Sequence, residues 1–100
     1  MSKVVISDDE DWLECPTCAS RYLHHGRVTL YDRKEDAEQV LWTEIEGHEL
    51  KQDLMMSVDS ENPSSRRHGM VIDFWCENCD KVHALTIAQH KGCTEIRWRE

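Results

Sequence analysis

Two Cys-x-x-Cys pairs, Cys15-Pro16-Thr17-Cys18 and Cys76-Glu77-Asn78-Cys79, stand 57 residues apart in a chain of 100. Two intervening residues let a tight turn aim both sulfurs at one point, and the amides of that turn donate to the thiolates and disperse their charge. Two such turns from distant parts of a chain make a closed tetrahedral site, which soft sulfur ligands suit to zinc. Cys15, Cys18, Cys76 and Cys79 are therefore the expected ligands of one structural zinc ion. Compact four-cysteine sites separate their pairs by about 15–20 residues. The longer interval here predicts strands inserted between the two knuckles.

Other uses of these thiols fit the sequence less well. A lone Cys-Pro-x-Cys also serves redox proteins, where a helix N-terminus lowers the pKa of the first thiol. No strand-helix-strand pattern surrounds this one, and a redox pair has no need of a twin at 76 and 79. The chain opens without a basic-then-apolar leader, so it is expected in the cytoplasm, where thiols stay reduced and structural disulfides are rare. His83, four residues beyond Cys79, is a candidate substitute ligand, as are His24 and His25 after the first pair. Each reads first as an ordinary surface or strand histidine. Cys93 follows Lys91-Gly92 and reads as a small buried hydrophobe. The position after the second pair, often Gly in such knuckles, is Asp80, and its counterpart is Ala19. Asp tolerates a left-handed backbone better than Ala does, so the first knuckle is expected to be strained or differently wound.

The rest of the chain reads mainly as β-structure in a single domain spanning residues 1–100. Lys3 to Ile6 is short and β-branched, and Ser7-Asp8-Asp9-Glu10-Asp11 is a solvated acidic connector or a helix-start signal leading to Trp12 and Leu13. Tyr22 to His25 leads through Gly26 into Arg27 to Tyr31, which alternates as a half-buried strand does. Asp32 to Glu38 is polar and charged, and Val40 to Ile45 is a strand ended by Glu46-Gly47. In His48 to Val58 the spacing of Leu50, Leu54 and Met55 fits a helix, while Met55 to Val58 can extend as a strand; sheet context assigns the segment as a strand. Asp59 to Gly69, with Asn62-Pro63 and Ser64-Ser65, is the longest loop. Met70 to Trp75 carries large residues on both faces, which suggests a central, covered strand. Val82 to Ala88 and Thr94 to Trp98 complete a three-stranded meander, with Thr94, Ile96 and Trp98 on one face.

The knuckle pair, the strand entering the second knuckle as Phe74-Trp75-Cys76-Glu77-Asn78-Cys79, and the hairpin after it resemble a zinc ribbon with extra strands between the knuckles. Tyr22-Leu23-His24-His25, Asn62-Pro63-Ser64-Ser65-Arg66-Arg67 and Gln89-His90-Lys91-Gly92 are similar to small zinc-ribbon proteins of bacteria and their phages. The resemblance implies a zinc-ribbon-like antiparallel sheet with the same four cysteines as ligands. It implies no activity, because fold does not carry function.

Charge then narrows the function. The net charge is −8, and four thiolates around one divalent ion take it to −10. That opposes unaided attraction to phosphate backbones and anionic lipid. No apolar stretch approaches the 18 or so residues of a membrane span. A four-thiolate site leaves no position for a reacting water, and no catalytic motif appears, so the chain does not read as an enzyme. The expected function is a zinc-held binding module for a protein partner, with a phage-derived, host-directed regulator or inhibitor as one form of it. The alternative is a nucleic-acid-binding ribbon, in which Trp42, Trp75 or Trp98 stacks on bases. Arg66, Arg67 and His68 form a candidate anion- or partner-binding cluster, since guanidinium groups grip phosphates and carboxylates with two bonds.

Overall fold

The computed structural model describes residues 3–99. Six strands, β1 (Leu23–Asp32), β2 (Gln39–Glu46), β3 (Glu49–Met56), β4 (Gly69–Cys76), β5 (Val82–His90) and β6 (Cys93–Trp98), form one antiparallel sheet in the order β3-β2-β1-β4-β5-β6. A single 3-10 turn at Ser57–Asp59 is the only helical element among the described residues, and no helix is long and apolar enough to cross a membrane. The mainly β expectation holds, and β1 to β4 fill the interval between the cysteine pairs.

Two three-stranded meanders, β1-β2-β3 and β4-β5-β6, join through the central β1-β4 pair. Both meanders use a two-residue hairpin whose central residues have positive φ: Gly47 and His48 at 56° and 69°, Lys91 and Gly92 at 49° and 79°. Such turns match the right-handed twist of the strands they connect. The β1-β4 register runs from Leu23↔Cys76 to Tyr31↔Gly69. It therefore lays the start of β1, which leaves the first cysteine turn, beside the end of β4, which enters the second.

Gly26 does not break β1. The register with β4 shifts between His25 and Val28, the mark of a bulge, in which an extra residue is accommodated and the strand bends. Arg27 at that bulge donates from Nε to Asp73 at 2.8 Å on β4 and lies 3.7 Å from Glu44 on β2. Lys3 to Ile6 departs from the expected strand, contributing only single bridges, Lys3↔Arg97 and Ile6↔Leu13. The acidic connector turns the segment back on itself, with the Ser7 amide donating to Trp12 O at 2.9 Å and the Glu14 amide to Val5 O at 3.0 Å.

The two faces of the sheet differ. One carries buried Tyr31, Val40 and Val71, packed with Trp42, Met55 and Ala84. The loop 57–68, which returns the chain from the outer strand to the centre, lies over this face. It is pinned by buried Ser64, whose Oγ donates to Gln89 O at 2.7 Å and accepts the Arg67 amide at 3.0 Å. The Arg99 guanidinium also donates to Glu61 O at 2.8 Å. By strand alternation the opposite face presents Leu41, Ile45, Leu50, Leu54, Met56 and Ile96, and all six are exposed. β4 is central as expected, covered on one face and, on the other, only towards its end, where Phe74 meets Trp98. Of Thr94, Ile96 and Trp98, only Trp98 is buried, edge-on to Phe74 and His83 at ring distances of 5.8 Å.

Gly69 shows how closely the returning loop sits on the sheet. A Cβ there would overlap Asn62 Oδ1 and come within 2.8 Å of Pro63 Cδ. Gly69→Ala should destabilise the protein by about 1–3 kcal/mol through overpacking, read as a clear fall in melting temperature. An unchanged melting temperature would mean that the loop is not seated on this face.

Candidate metal centre

The two cysteine turns are built alike. Cys15 N–H donates to Ser20 O at 2.8 Å and Ala19 N–H to Cys15 O at 2.9 Å; Cys76 N–H donates to Lys81 O and Asp80 N–H to Cys76 O, both at 2.9 Å. Ala19 has φ 63° and Asp80 φ 59°. The expectation that the first turn is wound differently is thus corrected, because the same pair of backbone bonds closes both turns. Ala19 carries the left-handed backbone at the usual cost of about 1–2 kcal/mol for a Cβ. Asp80 puts its side chain to use there, accepting Trp75 Nε1 at 2.7 Å.

The turns bring four sulfurs together. Cys15 Sγ lies 3.7 Å from Cys79 Sγ and Cys18 Sγ 3.6 Å from Cys76 Sγ, and all four are within 4.8 Å of one another. A tetrahedron of sulfurs about 2.3 Å from a central ion has edges of about 3.8 Å, so the spacing fits a four-thiolate metal site. The 3.6 and 3.7 Å separations run between the turns and far exceed the ~2.05 Å of a disulfide. All five cysteines are free thiols. Cys15 and Cys76 are buried, while Cys18 and Cys79 are half-buried at the surface of the cluster.

Several donors face the sulfurs. The Thr17 amide donates to Cys15 Sγ at 3.4 Å, and Asn78 Nδ2 to Cys18 Sγ at 3.4 Å. The backbone at Ser20 and at Lys81 hydrogen-bonds Cys18 and Cys79 in equivalent places. The Asn78 bond, followed by the backbone bond at Ser20, lowers the Cys18 thiol to about 6. Burial pushes Cys79 up to about 12. Opposite shifts are what close thiols show, since one ionises first and its charge keeps protons on the others; a cation among them lets all four ionise.

The histidines stay outside this cluster, and among the described residues the four cysteines are the one group of three or more candidate ligands that converges. His83 Nε2 is 3.0 Å from Thr17 Oγ1, His24 Nε2 is 2.7 Å from Glu77 Oε1, and the His25 ring meets Phe74 edge-on. Cys93 is exposed, which corrects its reading as a buried hydrophobe: the two-residue hairpin makes it the first residue of the outer strand β6, opposite His90.

Arg66, Arg67 and His68 do lie together, but their polar groups are engaged within the chain. Arg66 grips Asp36 with two bonds, at 3.0 and 2.7 Å, and Arg67 meets Glu35 at 3.1 Å. The Arg66 bond holds the Asp36 carboxyl below its ordinary range. His68 Nδ1 accepts the Arg33 amide at 3.0 Å. An external anion would have to displace Glu35 and Asp36. Of the tryptophans considered for stacking, Trp98 is buried and Trp42 packs on the core, whereas Trp75 is half-exposed beneath His24, with ring centroids 5.4 Å apart. Sequence reasoning missed Asn78 as a thiolate donor and the Glu35-Asp36 counter-charges; the polar run after β1 signalled a loop but not which arginines it faces.

No protein-family model, curated protein or solved structure matches the chain. The site therefore rests on its own geometry.

Ala19→Gly should stabilise the protein by about 0.5–1 kcal/mol, since relief of the left-handed strain outweighs the added chain entropy of glycine; a lower melting temperature would show that the turn gains from the methyl group. Metal binding needs thiolates. A lowered Cys18 therefore favours the metal-bound fold at high pH, and that advantage disappears as pH falls towards about 6. Asn78→Ala should move the midpoint of acid-induced metal release to higher pH, measured with a chromophoric chelator. An unmoved midpoint would exclude Asn78 from tuning the site.

Proposed function

We propose that the chain is a small binding module in which one structural zinc ion ties the two cysteine turns together, and that it works by protein-protein interaction. The convergence of four sulfurs carries the metal reading. Thiolates at this spacing suit zinc in both softness and bond length. Bound at Cys15, Cys18, Cys76 and Cys79, zinc would supply folding free energy, on the order of 10–16 kcal/mol for structural sites. Four thiolates fill the tetrahedron and leave no place for a reacting water, which supports a structural rather than catalytic role. Free thiols in such a site suit a reducing compartment, the cytoplasm.

The open apolar face supports the binding role. Exposed apolar patches of this kind mark interaction surfaces, and a hollow of about 810 Å³ on this face is floored by Leu30, Leu41, Met70 and Ile87. The net charge of −8 favours a partner whose own rim is basic. A regulator or inhibitor that acts by occupying such a partner is the form of module these features suit. Nucleic acid is the poorer fit, since the Arg66-Arg67 pair is already neutralised by Glu35 and Asp36.

Cys76→Ser should lose zinc and cost several kcal/mol of stability. A serine variant that kept one zinc per chain and melted like the parent would remove the metal reading. For the binding role, Leu41→Asp with Ile45→Asp should abolish capture of a native partner while zinc content and melting hold. Capture unaffected by that pair, or a gel shift with random DNA or RNA that fades with salt, would count against a protein-docking face.

A further inference from the structure

The sheet ends differently on its two sides. Beyond β6 the chain's own Lys3 bridges to Arg97. Beyond β3 no described strand follows, and the pairing of β3 with β2 is unbroken from Gln39↔Met56 to Glu46↔Glu49. β3, read as Glu49-Leu50-Lys51-Gln52-Asp53-Leu54-Met55-Met56, contains no proline or bulge. An unprotected edge of this kind is a template for another strand. In a two-residue hairpin the closing pair exchanges backbone bonds, so Glu49, Lys51 and Asp53 are bonded to β2. Leu50 and Gln52 then turn their N–H and C=O groups to the free edge; Leu54 turns its C=O there, while its N–H donates to Asp53 Oδ1 at 2.9 Å, a bond that pairing with a further strand exchanges for one to that strand.

We infer that β3 pairs antiparallel with β3 of a second copy of this chain, centred on Gln52 opposite Gln52. The strand is self-complementary in that register. A two-fold axis perpendicular to the sheet keeps each face continuous with its own counterpart. Lys51 then stands opposite Asp53 of the second copy, and Asp53 opposite its Lys51, giving two equivalent ion pairs on the face that bears Tyr31 and Trp42. On the open face Leu50 meets Leu54 of the second copy, twice. All the edge-facing pairs, Leu50 with Leu54 and Gln52 with Gln52, are ones that exchange two backbone bonds each. Lys51 is free to reorient, being 63% exposed and only 4.0 Å from Glu44 at its nearest.

Neighbouring registers are penalised by charge. A slip of two residues one way sets Lys51 against Lys51 and Glu49 against Asp53; the other way sets Asp53 against Asp53. Like charges directly opposite destabilise a strand pair, and opposite charges support it. A slip of four sets Glu49 against Lys51 but pairs only residues 49–51; of the registers that pair five or more residues of β3, the one centred on Gln52 alone places opposite charges face to face. Leu41 and Ile45 neighbour Leu54 and Leu50 on the open face, whereas Lys51 and Asp53 lie on the other face, so changes at these two charges test the edge without altering the open apolar face.

The test is sedimentation equilibrium of the zinc-loaded full chain across a concentration series, with zinc content as the check on folding. The parent should dimerise, and Lys51→Asp or Asp53→Lys should each weaken self-association roughly tenfold or more. The double variant carrying both changes, which restores opposite charges, should recover the dimer. Gln52→Cys in a Cys93→Ser background should form a cross-chain disulfide on mild oxidation, because facing residues of a strand pair lie within disulfide reach. A parent that stays monomeric at every concentration would overturn the pairing and leave the edge to another protein's strand. So would a dimer that the two charge variants leave unchanged, which would place self-association on the open face instead.

Discussion

The antiparallel pairing of β1 with β4 is the constraint from which the rest of the architecture follows. Leu23 opposite Cys76 sets the exit of one cysteine turn beside the entrance of the other. That pairing brings chain segments 57 residues apart to the 3.6–3.7 Å between sulfurs of different turns. The dependence is mutual. A metal ion held by the four thiolates would clamp the open end of the central strand pair, where backbone bonds alone would fray. The matched winding of the two turns is then a demand of the site, and Ala19 takes a left-handed backbone because its turn must mirror that of Asp80.

From the clamp outward, cover thins. The loop 57–68 returns from the outer strand across one face and buries Tyr31, Val40 and Val71, with Ser64 as its buried polar anchor. The second face is covered near the metal end, where Trp98 packs against Phe74 and His83, and is bare towards β2 and β3. A single sheet has two faces, and this chain has material to cover one of them and only the cysteine end of the other. The uncovered face and the uncovered edge are consequences of the same shortage, and both are where the molecule can meet others.

Much of this was legible from residue order. The Cys-x-x-Cys pairs name the four converging thiols because local spacing decides what a turn can aim at one point. β-branched and alternating segments name the strands, including β3, which sheet context favoured over the helical spacing of Leu50, Leu54 and Met55. Lys3 to Ile6 misled because its propensity is that of a strand, while the acidic turn after it folds the chain back onto Leu13. Cys93 misled because burial depends on which strand ends up outermost. Arg66 and Arg67 looked available because Glu35 and Asp36 lie some thirty positions earlier, and only the third dimension shows that they meet.

Residue order by itself determined the four cysteines of the candidate metal site, the β-rich class and the acidic balance, because spacing, alternation and charge are properties of neighbours along the chain. Tertiary structure alone decided which strands are central and which form the edge, which arginines are neutralised, and which apolar face is left open. Those outcomes depend on pairings between residues tens of positions apart, where the free energy of each choice is shared across the whole sheet and no local segment contains it.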